Sequence, residues 1–169
     1  MTARNIKTLF DLTGKRALIT GGSRGLGLQI AYALGEAGAT VMLSARKQDE
    51  LDAAVAELTA AGIKAHAFAA DSGNTEGAQA LAAEAIKALG DVDILVNNAG
   101  IIQELPFLDT TDADWERMLA ADLGSVFRVT RAVLPGMLML GRGAIVNIAS
   151  TSGIRWTGAA AVGYAAAKA

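Results

Sequence analysis

The sequence contains no cysteine and only one histidine, His66. The lack of cysteine excludes disulfides, thiolate zinc sites and a cysteine nucleophile, and one histidine excludes metal sites built on a histidine pair. Basic residues do not outnumber acidic ones, at 15 against 17, and no run of lysine and arginine occurs. A nucleic-acid binder that relies on neutralising phosphates is therefore not expected.

Long hydrophobic runs and export signals are also missing. Apolar stretches are short and interrupted by charges or glycine, so no membrane span is expected. The N-terminus carries Arg4 and Lys7 without an apolar core, so no signal peptide is expected and the cytoplasm is the default location. Because 52% of the residues are hydrophobic and the net charge is only -2, disorder is excluded, and residues 1–169 are predicted to form a single domain.

Short apolar runs alternate with longer amphipathic segments along the chain. The predicted strands are residues 17–20, 41–44, 65–69, 94–97 and 144–149. The predicted helices are residues 26–37, a segment around 51–58, residues 75–89 and a long stretch of about 112–139. Since each helix returns the chain to the same edge of the sheet, the strands are predicted to pair in parallel, as an α/β, doubly wound sheet with right-handed crossovers. Ligands bind such sheets outside the carboxyl ends of the strands.

The first predicted strand runs directly into a glycine-rich turn, Thr20-Gly21-Gly22-Ser23-Arg24-Gly25-Leu26-Gly27. Gly21 would permit the tight turn, Gly25 would let the backbone approach a pyrophosphate, and Gly27 would let the helix pack closely on the strand. Free N–H groups at the helix start would then face the anion. An ordinary strand-to-helix turn is the alternative, but the place of the glycines favours a dinucleotide site of the Rossmann type.

The end of the second predicted strand distinguishes between the two nicotinamide dinucleotides. An acid there would hold the ribose 2'-hydroxyl of NAD(H), whereas an arginine would accommodate the 2'-phosphate of NADP(H). The sequence has Arg46 and Lys47 at this point, no acid before Asp49, and a further cation, Arg24, in the glycine turn. These residues favour NADP(H). The alternative is that Arg46 and Lys47 only form a solvated helix entrance.

Tyr164 and Lys168 lie four residues apart near the end of the sequence, on one face of a predicted helix. A free tyrosine loses its proton near pH 10, about 3 pH units or roughly 4 kcal/mol away from neutrality. A lysine charge about 4 Å away, at an effective dielectric constant near 20, would stabilise the phenolate by about 4 kcal/mol. The pair therefore predicts a tyrosine that exchanges protons at neutral pH, which suits carbonyl reduction.

With these motifs in this order, the sequence resembles the short-chain dehydrogenase/reductase family along its whole length. The turn 20–27 matches the family's TGxxxGxG motif, Asn97-Asn98-Ala99-Gly100 matches its NNAG motif, and Tyr164 with Lys168 matches its YxxxK motif. The resemblance implies that Tyr164 protonates a substrate carbonyl oxygen and that Ser150 orients it. It also implies that Lys168 assists Tyr164 and holds the nicotinamide ribose.

The resemblance further implies which residues bind the cofactor. These are Gly21, Ser23, Arg24, Gly25, Leu26, Gly27, Arg46, Asp71, Asn98, Ala99, Gly100, Tyr164 and Lys168. Asp71 matches the family's acid that contacts the adenine ring. The implied partners are a small-molecule carbonyl or alcohol substrate and further copies of the chain, in a homo-oligomeric dimer or tetramer.

Two departures from the family pattern leave a second function open. The family's fourth catalytic residue, an asparagine, is Asp122 here, which cannot donate from an amide and whose charge would interact with Lys168. The sequence stops at Ala169, so we expect a Rossmann sheet truncated after strand five, with an apolar edge at residues 144–149 and the C-terminal part of the family fold missing. The two hypotheses are an NADPH-dependent ketone/secondary-alcohol oxidoreductase and a catalytically silent NADP(H)-binding module or inactive fragment.

Overall fold

Five parallel strands form one sheet in the computed structural model, which describes residues 6–169. They are β1 (Arg16–Thr20), β2 (Thr40–Ala45), β3 (Ala65–Ala69), β4 (Ile94–Asn97) and β5 (Ala144–Asn147). Their order across the sheet is β3-β2-β1-β4-β5, which confirms the predicted parallel α/β fold. Arg4, on which part of the signal-peptide expectation rests, lies outside the described residues.

Seven helices are described around this sheet. They are α1 (Ile6–Leu9), α2 (Gly25–Glu36), α3 (Gln48–Ala60), α4 (Thr75–Leu89), α5 (Asp112–Leu119), α6 (Ser125–Leu140) and α7 (Val162–Lys168). Local signals explain several of their ends. Asn74 caps α4 by accepting a hydrogen bond from the backbone N–H of Gly77, and Gly90 ends the same helix with a positive φ of 84°. Thr111 and Asp114 form a capping box at the start of α5.

The helices cover both faces of the sheet. Because side chains alternate along a strand, Leu18 of β1 points to one face and the adjacent Ile19 to the other. The first face packs against α4 and α6, whereas the second packs against α2 and α3. This is the doubly wound arrangement, and it leaves the strand ends free to form a site.

The predicted long helix is interrupted by one π turn, Ala120–Gly124, which joins α5 to α6. The whole helical stretch, Asp112–Leu140, has 29 residues and is long and apolar enough by composition to cross a membrane. The expectation that no segment resembles a span is therefore wrong on length and composition. In this fold, however, Val129, Val133 and Met137 of α6 are buried in the core against α4, so part of that apolar surface serves packing.

The strand β5 forms one edge of the sheet. It ends at Asn147, earlier than the predicted residue 149, because β4 ends at its partner Asn97 and offers no further ladder. All four of its residues are exposed, including Ile145 and Val146, as predicted for an apolar edge. At the amino ends of the strands, an ionic cluster holds β1 and β4 together.

Asp93 is the centre of that cluster, and its side chain is 4% exposed. Its carboxylate accepts hydrogen bonds from Nε of Arg16 at 2.7 Å and from Nε of Arg142 at 3.0 Å. Burial raises the pKa of Asp93, but the two guanidinium groups outweigh burial and hold the pKa at about 2. The cluster therefore stabilises the end of the sheet opposite to the candidate site.

Candidate cofactor crevice and active site

A cavity of about 640 Å³ opens at the carboxyl ends of β1, β2 and β4. Eleven residues predicted to bind the cofactor line it, namely Gly21, Ser23, Arg24, Gly25, Leu26, Gly27, Arg46, Asp71, Asn98, Ala99 and Gly100. Residues far apart in the sequence meet here because parallel strands end at the same edge of the sheet. Their roles in cofactor binding stay predictions, but their common location does not depend on those roles.

The glycine turn is attached to the NNAG segment by hydrogen bonds. The hydroxyl of Thr20 accepts from the backbone N–H groups of Asn98 and Ala99, at 3.1 and 3.0 Å. The amide of Asn98 in turn donates to the carbonyl oxygens of Thr20 and Gly21, each at 3.0 Å. Gly21 has a positive φ of 65°, and a Cβ there would lie 2.9 Å from the Cα of Ala99. The backbone on both sides of the crevice is therefore held in a fixed relation.

The first turn of α2 begins at the same place. A Cβ on Gly27 would overlap the carbonyl oxygen of Gly21, so only glycine lets the helix start this close to the strand. The N-cap residue, Arg24, makes no side-chain capping hydrogen bond. The N–H groups at this end of α2 are therefore suited to binding a phosphate, which the helix dipole also favours.

A cluster of charged side chains lines the crevice beside the end of β2. Arg24 and Arg46 are exposed, and Lys47 follows them at the entrance to α3. The carboxylate of Glu50 accepts a hydrogen bond from Nζ of Lys47 at 2.8 Å and lies 3.5 Å from Nη1 of Arg24. The hydroxyl of Ser23 donates a hydrogen bond to the other carboxylate oxygen of Glu50 at 3.3 Å.

Glu50 is a residue of the crevice that the sequence analysis missed. An acid that binds the ribose of NAD(H) is expected immediately after β2, whereas the first turn of α3 returns Glu50 to the crevice three residues after Lys47. The i,i+3 spacing of the two residues was the available signal. The hydrogen bond from Lys47 lowers the pKa of Glu50, outweighing burial, so the residue carries a negative charge at neutral pH.

The far end of the crevice is formed by Asp71 and its neighbours. One carboxylate oxygen of Asp71 accepts from the backbone N–H of Gly73 at 2.9 Å, which holds the side chain within its own turn. A second cavity of about 480 Å³ adjoins this end, and Arg46, Asp71 and Ile101 line both cavities. Asp71 therefore borders the end of the crevice at which Arg46 lies.

Tyr164 and Lys168 lie on α7, which packs against the turn that follows β5. Nζ of Lys168 is 5.8 Å from the centre of the Tyr164 ring and donates a hydrogen bond to the carbonyl oxygen of Ile148 at 2.9 Å. The ammonium of Lys168 is thus near the ring of Tyr164, although it lies farther from the ring centre than the separation of about 4 Å assumed above for the lysine charge. The hydroxyl of Ser150 accepts from the N–H of Ser152 at 3.2 Å.

Asp122 faces inward from the π turn and is 1% exposed. Both of its carboxylate oxygens accept from the N–H of Ile101, at 3.1 and 3.3 Å, and Oδ1 lies 3.7 Å from Nζ of Lys168. The predicted interaction of Asp122 with Lys168 is therefore present. Burial raises the pKa of Asp122, while Lys168 and the N–H of Ile101 act in the opposite direction.

Gly100 lies between the crevice and the pair formed by Asp122 and Lys168. It lines the cavity, and a Cβ at this position would overlap the carboxylate of Asp122 and lie 3.5 Å from Nζ of Lys168. Ser150, Tyr164, Lys168 and Asp122 themselves are not among the residues that line the cavity. The structure therefore brings Lys168, Asp122 and Tyr164 together at the margin of the crevice.

Comparison with known proteins gives matches over almost the whole chain. The family model described as "short chain dehydrogenase" matches residues 15–169. The chain is 40% identical over 162 residues to 2-dehydro-3-deoxy-D-gluconate 5-dehydrogenase of Formosa agariphila, covering 95% of this chain and 61% of that protein. It is 41% identical over 145 residues to galactitol 2-dehydrogenase of Rhizobium johnstonii, covering 85% and 56%.

Among solved structures, a variant of actinorhodin polyketide ketoreductase determined with NADPH matches with a TM-score of 0.88 and 39% identity. The match covers 91% of this chain and 59% of that chain. The chain thus spans between half and two thirds of the length of these three proteins.

Proposed function

The chain belongs to the short chain dehydrogenase family, and we propose that it is an oxidoreductase that interconverts a ketone and a secondary alcohol with NADP(H). We further propose that residues 1–169 are a single NAD(P)-binding Rossmann domain. One observation carries the proposal: the glycine turn and a cation cluster, formed by Arg24, Arg46 and Lys47, line the same crevice, and Lys168 lies at the margin of that crevice. A glycine cradle that a Cβ would fill and an uncapped helix start suit a pyrophosphate, and Arg24 and Arg46 suit a 2'-phosphate.

In this proposal, the chain's own residues handle the proton while the nicotinamide, when bound, supplies or accepts the hydride. The hydroxyl of Tyr164 gives its proton to the carbonyl oxygen of the substrate during reduction. The ammonium of Lys168, held by Ile148 and Asp122, stabilises the resulting phenolate. Ser150 orients the substrate carbonyl group. Because the oxygen of the Ser150 hydroxyl already accepts the N–H of Ser152, the hydroxyl proton is suited to donate to the carbonyl oxygen of the substrate.

The substrate is a small carbonyl or alcohol compound in this proposal. The relatives named above act, by their names, on gluconate-type and galactitol substrates, and the solved structure is a polyketide ketoreductase. We also propose a cytoplasmic homo-oligomer, a dimer or tetramer. Exposed apolar side chains on α6 and β5, such as Leu138, Met139 and Val146, support an association between copies.

A second function, an NADP(H)-binding module without turnover, is favoured by one observation. Asp122 replaces the family's asparagine and pairs with Lys168 at 3.7 Å, so part of the charge that would assist Tyr164 is compensated. In that case the crevice would bind the cofactor and the substrate carbonyl would not be reduced.

The two functions are separated by incubating the complete natural protein with NADPH and a panel of ketones while following the nicotinamide absorbance. Turnover is expected in the unmutated protein, and Tyr164→Phe should abolish it while leaving the Kd for NADPH nearly unchanged. Cofactor binding without turnover would support the silent module. Turnover that survives in the Tyr164→Phe variant would remove Tyr164 from its role, and equal affinity for NADH and NADPH would remove Arg46 from its role.

A further inference from the structure

The cation cluster beside β2 already contains an anion, Glu50. Each of its oxygens is engaged by a group that lines the crevice. One oxygen lies 2.8 Å from Lys47 and 3.5 Å from Arg24, and the other lies 3.3 Å from the hydroxyl of Ser23. The side chain of Glu50 is 26% exposed, so water screens these contacts only in part.

A 2'-phosphate bound in this cluster would need the same donors. Phosphate and carboxylate oxygens both accept charge-assisted hydrogen bonds from lysine and arginine, so the two anions would compete for Lys47 and Arg24. They would also repel each other at this range. A ribose that carries a 2'-hydroxyl would bring no charge, and its hydroxyl could donate to the carboxylate of Glu50.

We propose that Glu50 is a specificity-determining residue. Its carboxylate competes with the 2'-phosphate for Lys47 and Arg24, and so reduces the ratio of the affinity for NADP(H) to the affinity for NAD(H). The inference rests on the proposed NADP(H) function, since it concerns how that cofactor is distinguished. Arg46 keeps the preference in favour of NADP(H), because it lines the crevice and has no ion pair with Glu50 among residues 6–169.

A matched control exists on α4. Glu84 pairs with Lys87 at 3.1 Å with the same separation of three residues, and its side chain is 31% exposed, close to the value for Glu50. It lines neither cavity described above. Glu84→Gln therefore removes an equivalent charge pair of a helix without touching the crevice.

The experiment measures the Kd of 2',5'-ADP, 5'-AMP, NADPH and NADH for the unmutated protein, Glu50→Gln and Glu84→Gln by calorimetric titration. Glu50→Gln is expected to tighten binding of 2',5'-ADP and NADPH about fivefold, the upper range for a partly exposed charge pair. Binding of 5'-AMP and NADH should become no tighter, and Glu84→Gln should leave all four values unchanged. Melting temperatures of the variants check that both remain folded.

Unchanged or weaker binding of 2',5'-ADP in Glu50→Gln would overturn the inference, because Glu50 would then be irrelevant or would align the cations for the phosphate. Failure of the proposed function has a different signature. In that case the unmutated protein would bind 2',5'-ADP no more tightly than 5'-AMP. If Glu50→Gln alone then created a preference for the 2'-phosphate, the competition would still be supported.

Discussion

Replacing Asp122 with asparagine removes one buried negative charge beside Lys168 with almost no change in shape. An asparagine oxygen can still accept the N–H of Ile101, which now donates at 3.1 Å. Lys168 keeps its hydrogen bond to the carbonyl oxygen of Ile148 at 2.9 Å. The substitution therefore tests the charge of Asp122 with little disturbance of the surrounding hydrogen bonds.

The size of the effect follows from two distances. Nζ of Lys168 lies 3.7 Å from the carboxylate of Asp122 and 5.8 Å from the centre of the Tyr164 ring, so carboxylate and ring centre are at most about 9.5 Å apart. At an effective dielectric constant near 20, a unit charge at this distance opposes formation of the phenolate by about 2 kcal/mol. That energy corresponds to a factor of roughly 10 to 30 in rate.

The assay is kcat for ketone reduction by the complete natural protein at saturating NADPH and fixed pH, a direction in which Tyr164 gives up its proton. In Asp122→Asn kcat is expected to rise about tenfold, because only part of the phenolate charge has developed in the transition state. The Kd for NADPH should stay within about twofold of the unmutated value. An unchanged or lower kcat would refute the reasoning, because the charge of Asp122 would then not oppose formation of the Tyr164 phenolate.

Two further predictions concern stability and the glycine turn. Because the folded pKa of Asp93 is held at about 2, its stabilising contribution is present above about pH 4 and is lost as the pH falls towards 2, so Asp93→Asn should cost about 2 kcal/mol at neutral pH. Urea unfolding at several pH values checks this, and an unaltered acid dependence in the variant would contradict it. A Cβ on Gly27 would overlap the backbone of the turn, so Gly27→Ala should weaken NADPH binding roughly tenfold or more. Gly136 lies in open space on α6, so Gly136→Ala should instead add up to about 1 kcal/mol of stability in thermal unfolding. If Gly27→Ala and Gly136→Ala had equal effects on NADPH binding and on thermal unfolding, the steric reasoning would be contradicted.

The sequence predicted elements best where local signals bounded them. The bounds of α4 agree with the prediction at both ends, because Asn74 caps its start and Gly90 terminates it. The end of β5 was predicted two residues late, since it depends on where the partner strand β4 stops. The π turn could not be predicted, because residues on both sides of it continue one helical stretch and no glycine or proline precedes Asp122 within it.

The location of the candidate site followed from topology, whereas its electrostatics did not. Residues such as Gly21, Arg46 and Asn98 follow strand ends, so a parallel sheet alone brings them to one crevice. The pairing of Glu50 with Arg24 joins a residue of α3 to the N-cap residue of α2 and needs three-dimensional coordinates. The distance from Lys168 to the ring of Tyr164 also needs coordinates, because the spacing of four residues in the sequence does not fix it.

The position of the Asn98 side chain limits how the two crevice motifs can vary in evolution. Its amide nitrogen would lie 2.9 Å from a Cβ on Gly21 and 2.6 Å from a Cβ on Gly27, so one asparagine occupies space beside both glycines. A smaller residue at 98 would relieve these two contacts. A Cβ on Gly21 would still lie 2.9 Å from the Cα of Ala99, and a Cβ on Gly27 would still overlap the carbonyl oxygen of Gly21. Both glycine positions, 21 and 27, are therefore expected to stay glycine in every sequence background that keeps this turn, whichever residue occupies position 98.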